Sequence, residues 1–372
     1  MRIAFLCKRR YTGGKDVILD HYGRLYEIPY QLARRGHEVH CYCLDYHTPG
    51  AGAWTHEAAP GSLAWESQSL GALKLPRLPA YPRYLLRRLR AFQPHLLLGA
   101  SDIPHVALCR WLAGRLGVPY AVDLYDNFES FGQARIPGFV AALRSATRQA
   151  TVVITASEPL RQLAMRSYGA QGKVIAMPNS TDLQVFYPGA RQAARQRLGL
   201  PLQVRLMGTA GVLSRSKGVE PIYQAWPRLA AEHPDLHLVL AGPFRSELPP
   251  PQGERVHYLG QLAHAQVADV FRALDVGIIS ILDTPFGRYC FPQKAYEMLA
   301  CGLHVVVTDI GEMQTLFADT PQIRFAPNDA AGLAAAVNAQ LRDPVEPSIR
   351  IRDWKALLDQ VAPELERLVS DT

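Results

Sequence analysis

The sequence predicts an α/β protein built from two doubly wound domains. Three observations support this class: the chain has 372 residues, short apolar runs alternate with amphipathic helical patterns, and the alternation loosens once and then restarts. A chain of this length exceeds what a single compact core usually holds. Near-continuous apolar strands separated by helices are typical of parallel sheets covered by helices on both faces.

The first half opens with the apolar run RIAFLC, which predicts a strand, and a polar loop follows it. A helical pattern around YGRLYEIPYQLARRG comes next, and we expect Pro29 to interrupt or bend this helix. The runs HEVHCYCL, HLLLGA, PYAVDLY and TVVITAS predict further strands. Together these segments indicate one domain over residues 1–178.

The pattern loosens around residues 179–203 and resumes with the runs VRLMGTAG, LHLVLAG, RVHYLG, DVGIISIL and HVVVTD. A second domain is therefore predicted over residues 179–355. Residues 356–372 have an amphipathic helical pattern and are expected to pack back on the N-terminal domain. Ligands of doubly wound sheets bind outside the carboxyl ends of the strands, so a cleft between the two facing domains is the expected site.

The net charge of +7 lies in the N-terminal part of the chain, because residues 1–110 contain 15 Lys or Arg and 8 Asp or Glu. Such an excess suits an anionic substrate, a membrane surface or a nucleic acid. Residues 82–92, PRYLLRRLRAF, interleave arginines with apolar residues, as in a helix at an anionic membrane surface. A solvated helix face on the core has the same pattern. No recognised nucleic-acid-binding module is present, so no nucleic-acid partner is expected.

The N-terminal segment, the lengths of the apolar runs and the cysteines together predict a cytoplasmic protein that contacts, at most, the inner face of the membrane. The N-terminus is apolar first and basic second, the reverse of a secretory signal peptide. No apolar run approaches the roughly 18 residues that a spanning helix needs. The six cysteines have no paired spacing, which predicts reduced core residues.

Two loops that follow predicted strands contain glycines and cations. The first, KRRYTGGKD, contains Gly13 and Gly14, and the second, TAGVLSRSKGVE, contains Gly211, Arg215 and Lys217. Glycines let backbone N–H groups approach a phosphate at the start of a helix, although an ordinary turn has the same composition. The cations suit a diphosphate, or alternatively a solvated basic loop. Neither loop has the spacing of a dinucleotide fingerprint or a P-loop.

The stretch FPQKAYEMLACGLHVVVT contains a lysine three residues before a glutamate, so Lys294 and Glu297 share a helix face. A surface ion pair is the simplest interpretation. Helix polarity, however, disfavours a cation in the first turn, so Lys294 is expected to meet an anion. A carboxylate one turn later can accept hydrogen bonds from two vicinal hydroxyls, such as those of a ribose.

Several segments, in order, resemble GT-B glycosyltransferases of the large retaining family 4. MPNSTDLQVFYP resembles the linker "PNGVDxxxFxP", GVLSRSKGVEPIYQAW the loop "GRLxxxKG", and PQKAYEMLACGLHVVVTDIG the signature "EAMACGxPVVATxxGG". The resemblance spans nearly the whole chain. It implies a GT-B fold, in which an N-terminal Rossmann-like domain binds the acceptor and a C-terminal one binds a nucleotide-diphosphate sugar, and it implies retention of the anomeric configuration.

Residue by residue, the resemblance implies that Glu297 binds the ribose hydroxyls and that Lys217 binds the diphosphate. Val212 stands where the family has an arginine, so Arg215 is expected to substitute for it. Tyr289 stands where the family has the first glutamate of its E-x7-E motif, although FPQKAYE fits a variant that starts "FPxKxxE". The other expected donor-binding residues are Gly13, Gly14, Gly211, Cys290, Phe291 and Lys294.

In the first domain, the family's histidine near the reacting carbon falls at Tyr125, beside Asp126 and Asp123. The expected catalytic set is Lys217, Glu297, Asp126 and Tyr125. Asp102 and His105 follow an apolar strand and, with Asp123, are acceptor-side candidates. Capping of the following helix is an equally good interpretation of Asp102.

These implications predict a retaining, metal-independent glycosyltransferase with a glycan, lipid-linked or protein acceptor, active in the synthesis of cell-surface polysaccharide, lipopolysaccharide or another glycoconjugate. A nucleotide-sugar epimerase of the same architecture and a catalytically decayed nucleotide-sugar-binding protein are the alternatives. No D-x-D follows a suitable strand, and the loop cations suit a leaving diphosphate, so neither a metal nor another cofactor is expected. The sequence leaves open the sugar, the base and the acceptor, which loops such as residues 45–80 are expected to select.

Overall fold

The computed structural model describes residues 1–11, 14–46, 51–70 and 79–370. The chain folds as two compact units. The first contains Met1–Asn179, Tyr289–Phe291 and the segment from Trp354 onward, and the second contains Ser180–Arg288 and Pro292–Asp353. Each unit has its own sheet and its own core.

The first unit contains a sheet of eight described strands. They are β1 (Arg2–Lys8), β2 (Glu38–Asp45), β3 (Gly52–His56), β4 (Ser62–Ser69), β5 (Leu96–Ala100), β6 (Tyr120–Leu124), β7 (Val152–Thr155) and β8 (Lys173–Ala176). Their order in the sheet is β3-β4-β2-β1-β5-β6-β7-β8. Neighbours pair in parallel, except that β3 runs antiparallel to β4 at the edge.

The second unit contains a parallel sheet of six described strands. They are β9 (Arg205–Ala210), β10 (Leu236–Ala241), β11 (Val256–Tyr258), β12 (Val276–Ile279), β13 (His304–Thr308) and β14 (Arg324–Phe325). Their order is β11-β10-β9-β12-β13-β14. Both sheets are therefore doubly wound, as the sequence predicts, although the first has an antiparallel edge strand that the prediction lacked.

Helices connect the strands in both units. They are α1 (Arg24–Arg34), α2 (Ala80–Phe92), α3 (Ile103–Leu116), α4 (Phe139–Gln149), α5 (Glu158–Arg166), α6 (Arg191–Leu198), α7 (Glu220–Glu232), α8 (His264–Ala273), α9 (Gln293–Ala300), α10 (Glu312–Leu316), α11 (Ala330–Arg342) and α12 (Trp354–Ser370). Within the described ranges, no helix is long and apolar enough to cross a membrane.

Alternation along each strand builds two cores, one on each face of a sheet. In β1, Ile3 and Phe5 enter the core that α1 and α12 cover, whereas Ala4 and Leu6 enter the core that α2 and α3 cover. Because both faces are buried, β1 is apolar throughout, which is why its sequence is so easily identified. All six cysteines are buried and free, as expected.

The segment expected to consist of loops, residues 45–80, contains β3 and β4. In β4, Leu63, Trp65 and Ser67 are buried and the residues that alternate with them are not. A strand with one buried face has an alternating pattern that is weaker than a continuous apolar run. The expectation was therefore wrong for this segment, because it relied on apolar runs alone.

Pro29 does not interrupt α1, which continues to Arg34. Proline removes one backbone hydrogen bond from a helix interior. The packing of Leu25, Ile28 and Leu32, all buried, holds the helix on the sheet nevertheless. Tertiary burial thus outweighs the local cost of the proline.

A buried ion pair joins α1 to the end of β6. The Nε atom of Arg24 donates to Oδ1 of Asp123 at 2.7 Å, and the two side chains are 2% and 0% exposed. Arg24 also donates to the carbonyl oxygen of Met177 at 2.6 Å. Burial raises the pKa of Asp123 in spite of the opposing effect of Arg24, so desolvation outweighs attraction at this pair.

Replacing Arg24 with methionine leaves Asp123 buried without its partner, so we expect a loss of roughly 3 kcal/mol in the free energy of unfolding. Arg228→Met is the matched control, because Arg228 pairs with Glu232 on an exposed helix face and such pairs contribute less than about 1 kcal/mol. Urea denaturation of both variants measures the difference. Equal losses would show that the buried pair is not a determinant of stability.

Candidate functional site

The order of the second sheet reverses at β9, which pairs with β10 on one side and β12 on the other. In doubly wound sheets ligands bind outside the carboxyl ends of the strands, where this reversal occurs. The loop after β9 and the start of α9, which follows β12, both lie at this position. Five of the predicted donor-binding residues lie in the loop after β9 and in α9: Gly211, Arg215, Lys217, Lys294 and Glu297.

Lys294 is the second residue of α9, and Pro292 is the residue before the helix starts rather than part of its first turn. The Nζ atom of Lys294 donates to Oγ1 of Thr209 at 3.2 Å. Within the described part of the chain Lys294 forms no ion pair. Burial, helped by the nearby charge of Lys217 and opposed by the attraction of Glu297, lowers the pKa of the Lys294 ammonium to about 8. The sequence had not indicated Thr209.

Glu297 lies one turn along α9, and its carboxylate makes no hydrogen bond or ion pair with any described residue. Burial raises the pKa of Glu297 to about 7, and Lys294 offsets only part of this effect. The simplest interpretation of the sequence, a surface pair between Lys294 and Glu297, is therefore wrong, because both groups are desolvated and lie beyond ion-pair distance. A partly buried carboxylate with free oxygens is suited to accept hydrogen bonds from a ligand.

Lys217 and Arg215 lie in a short 3-10 turn, Arg215–Lys217, in the loop between β9 and α7. The Nζ atom of Lys217 lies 5.1 Å from the ring centroid of Phe286, in a cation–π arrangement. The guanidinium of Arg215 lies 3.6 Å from the Glu220 carboxylate, and its side chain is 62% exposed. Both cations are exposed, and Lys217 is close enough to Lys294 to lower the pKa of that ammonium.

Gly211 directly follows β9 and has a φ of +125°, and a β-carbon there would stand 3.4 Å from Nζ of Lys294. The neighbouring Gly242 has a φ of +118°, and a β-carbon on it would lie 2.0 Å from the carbonyl oxygen of Gly211. Gly242 therefore allows the loops after β9 and β10 to touch. The sequence analysis missed Gly242, although its position directly after a predicted strand was a usable signal.

Tyr289, Cys290 and Phe291 belong to the first unit, whereas Lys217 and Glu297 belong to the second. The hydroxyl of Ser157 donates to the carbonyl oxygen of Tyr289 at 2.6 Å. The Tyr289 ring packs against the core of the first unit.

In the first unit, Tyr125 and Asp126 directly follow β6. The hydroxyl of Tyr125 accepts a hydrogen bond from Nζ of Lys8 at 2.8 Å. The carboxylate of Asp126 accepts from the backbone N–H of Asn127 at 2.8 Å. Asp123 is bound to Arg24. Lys8 ends β1, and the rule that site residues follow strands could have found it.

Asp102 caps α3, which confirms the capping interpretation. Its Oδ1 atom accepts from the backbone N–H of His105 at 3.0 Å and lies 2.6 Å from Nδ1 of the same residue. The hydroxyl of Tyr46 donates to the second oxygen at 2.9 Å. Asp102 and His105 are 2% and 1% exposed, so both are part of the buried structure.

The first glycine loop is only partly described. Gly14 has a φ of +85°, is exposed and donates its N–H to the carbonyl oxygen of Tyr11 at 2.9 Å. Gly13 lies outside the described residues.

Two family models match the chain. Residues 24–180 match the glycosyl transferase 4-like domain, and residues 204–343 match the glycosyl transferases group 1. The chain is a glycosyltransferase of the family-4 type. The resemblance noted in the sequence is thereby confirmed.

Curated relatives of this glycosyltransferase match over most of its length. A glycosyltransferase of Bacillus subtilis named for teichuronic acid biosynthesis, TuaC, is 26% identical over 285 residues, which are 76% of this chain and 68% of TuaC. The D-inositol 3-phosphate glycosyltransferase 1 of Catenulispora acidiphila is 29% identical in an alignment of 299 residues. That alignment covers 70% of this chain and 69% of that one. For the Mycobacterium tuberculosis protein with the same activity name, the match covers 64% of the relative.

Solved structures establish the fold as GT-B. Sucrose-phosphate synthase from Thermosynechococcus elongatus matches with a TM-score of 0.74 at 19% identity, over 100% of both chains. The Anabaena protein Alr3699/HepE, solved with UDP, matches with a TM-score of 0.71 at 17% identity, over 99% of this chain and 100% of its own.

Because burial raises the pKa of Glu297 from 4.5 to about 7, ionising this carboxyl opposes folding. This destabilisation of the folded state is absent below about pH 4.5, grows as the pH rises and reaches its full size above about pH 7. Glu297→Gln is therefore expected to be as stable as the wild type near pH 4.5 and more stable at pH 8, by as much as about 3 kcal/mol. Urea unfolding at both pH values measures this, with the exposed Glu254→Gln as control. A pH-independent difference would contradict the assignment.

Proposed function

We propose that this glycosyltransferase takes its sugar from a nucleotide-diphosphate sugar bound by the second unit. The observation that supports this most directly is that, among the described residues, the carboxylate of Glu297 has no hydrogen-bond or ion-pair partner and the ammonium of Lys294, one turn earlier, has no ion-pair partner. A ribose offers two adjacent hydroxyl donors, and a diphosphate offers anionic oxygens. A nucleotide-diphosphate sugar would therefore supply hydroxyl donors to the desolvated Glu297 carboxylate and anionic oxygens to the desolvated Lys294 ammonium.

The cations of the second unit would stabilise the leaving group. A nucleoside diphosphate departs with negative charge, and fixed positive groups at that position lower the barrier. Lys217 and Lys294 are the proposed contacts, with Arg215 as the exposed cation that replaces the arginine of the family motif. In this proposal no metal is required. Structures of the Anabaena relative hold UDP and UDP-glucose, which supports a ligand of this class here.

The proposed reaction retains the anomeric configuration. The bond between the anomeric carbon and the phosphate oxygen breaks, and its electron pair leaves with the diphosphate. The acceptor hydroxyl attacks the same face, and its proton passes to the departing phosphate oxygen. This route differs from the glycosidases that use two carboxylates, and it needs no carboxylate at position 289.

The acceptor in this proposal is bound by the first unit, where Tyr125 and Asp126 follow β6. Its class is a glycan, a lipid-linked sugar or a protein in glycoconjugate synthesis. The relative named for teichuronic acid biosynthesis supports a cell-surface polysaccharide. The particular sugar and base are to be found by a thermal-shift screen of nucleoside diphosphates and their common sugars.

Glu297→Ala and Lys217→Ala should each weaken binding of the nucleoside diphosphate found in that screen at least tenfold, because each removes a charged hydrogen-bonding group worth about 1.5 kcal/mol or more. Isothermal titration calorimetry measures the affinity, and thermal melting checks that the variants fold. Arg228→Ala removes an exposed charge from the same unit and should bind as the wild type does.

Unchanged affinity in both variants would overturn the donor site. Incubation of the donor without acceptor separates the remaining alternatives. An epimer formed from the donor would indicate an epimerase, and binding without turnover in the presence of any acceptor would indicate a decayed enzyme.

We further propose that α2 contacts an anionic membrane surface from the cytoplasmic side. Tyr81, Leu85 and Leu89 are buried in the core, whereas Arg83, Arg87 and Arg90 are exposed and belong to no ion pair among the described residues. These arginines recur at the spacing of one helix face, directed away from the buried one. Trp111, 40% exposed on α3, lies on the same side of the sheet and is of the type that anchors at interfaces.

Changing Arg83, Arg87 and Arg90 to glutamine should weaken retention on vesicles of anionic phospholipid about 100-fold, at about 1 kcal/mol per arginine. The control removes the same charge from three exposed, scattered positions: Arg166, Arg228 and Arg342. Vesicle sedimentation at low and high salt measures retention. Equal weakening of vesicle retention in both triple variants would indicate a non-specific charge effect instead. A parallel loss of retention on DNA would indicate the same.

A further inference from the structure

The first sheet has its own reversal of strand order, because β1 pairs with β2 on one side and β5 on the other. Lys8 ends β1, and Ser101 directly follows β5. The backbone N–H of Lys8 donates to Oγ of Ser101 at 2.8 Å. Ser101 is buried and has a φ of +82°, a conformation that non-glycine residues seldom adopt outside functional sites. The backbone is therefore held in an unusual geometry at this reversal.

Lys8 differs from its neighbours Arg9 and Arg10 in forming no ion pair with the residues that the structure describes. Arg9 pairs with Asp16 at 2.9 Å, and Arg10 pairs with Asp45 at 3.1 Å. Lys8 is partly buried and forms no ion pair with a described residue. Its ammonium has one hydrogen-bond partner among those residues, the neutral hydroxyl of Tyr125 at 2.8 Å.

Three aromatic rings surround the Lys8 ammonium. Its Nζ atom lies 6.0 Å from the ring centroid of Tyr11, 5.5 Å from that of Tyr125 and 5.9 Å from that of Phe131. The rings fix the position of the ammonium but supply no negative charge. Burial lowers the pKa of Lys8, against the weaker attraction of Asp102 and Asp126. Asp102 is itself bound to His105 and Tyr46, so it does not serve as the counter-ion.

An ammonium has three N–H donors, and the hydroxyl of Tyr125 takes one of them. The two others face no described acceptor. A partly buried cation of this kind gains most from a ligand with anionic oxygens, because charge-assisted hydrogen bonds repay its desolvation.

We propose that Lys8, positioned by Tyr125, binds an anionic group of the acceptor, a phosphate or a carboxylate, and so selects charged acceptors. This rests on the proposed function, in that the first unit holds the acceptor. Lys8 acts in binding, and Tyr125 is a positioning residue that holds the ammonium through its hydroxyl. The sequence motifs assign no such role to Lys8, which is the first residue of the loop KRRYTGGKD.

The test is lysine acetylation with acetic anhydride, read peptide by peptide by mass spectrometry on the intact chain. Inorganic phosphate, glucuronate and glucose are the three probes. An anion held on Lys8 should slow its acetylation about tenfold at saturation, equivalent to about 1.4 kcal/mol, whereas glucose should not. Lys15 is the internal control, because it also lies over a tyrosine ring, that of Tyr22 at 5.9 Å, but is exposed.

Protection by phosphate alone identifies a phosphate group, and protection by glucuronate alone identifies a carboxylate. If neither anion protects Lys8 from acetylation, or if Lys15 is protected equally, the proposal is overturned. Tyr125→Phe should reduce the protection of Lys8, and Lys8→Arg should keep the anion affinity that Lys8→Met loses. The wild-type labelling result stands even where a variant does not fold.

Calorimetry with UDP on wild type and Lys8→Met separates this proposal from the donor site. Protection of Lys8 by an anion in the wild type, together with UDP binding that Lys8→Met leaves unchanged, supports the proposal. Failure of every nucleoside diphosphate to bind the wild type would overturn the proposed donor, while the acetylation of Lys8 would still report whether the anion site exists.

Discussion

Parallel pairing of strands is the constraint on which the sites of this protein depend. It sends most connections from the carboxyl end of one strand through a helix to the start of the next, so residues distant in sequence meet at one edge of a sheet. Lys217 follows β9 and Glu297 lies on the helix after β12, and these strands are neighbours. In the first unit, Lys8 ends β1, and Asp102 and Tyr125 follow β5 and β6.

Desolvation then determines what these residues can do. At Arg24 and Asp123, two buried charges meet directly, and the pair has a structural role. At Lys294, Glu297 and Lys8, partly buried charges have no ion-pair partner in the described part of the chain. Such groups are costly to fold and gain from a ligand that supplies the missing partner. The same chemistry that lowers stability at these positions is thus what makes them suitable for binding.

Glycines and strained residues show how closely the loops approach at these edges. Gly242 is needed because its neighbour Gly211 comes within 2.0 Å of the place where a side chain would begin. Ser101 accepts the N–H of Lys8 while in a left-handed conformation. In both units the backbone at the reversal of strand order is specified by contacts between loops, and local propensity alone would not select it.

The apolar runs and the motifs of the chain determined the fold class, most strands and the residues of the donor-binding helix, because burial on both faces leaves a continuous apolar signal and because Lys217 and Glu297 stand in recognisable segments. They did not reveal β4, whose single buried face gives a weak pattern, or β3, none of whose residues is fully buried. Only the tertiary structure decided that Lys294 and Glu297 are desolvated and unpaired, that Tyr289 lies in the first unit, and that Lys8 meets Tyr125. These are properties of distance and burial, and they depend on residues brought together from separate strands.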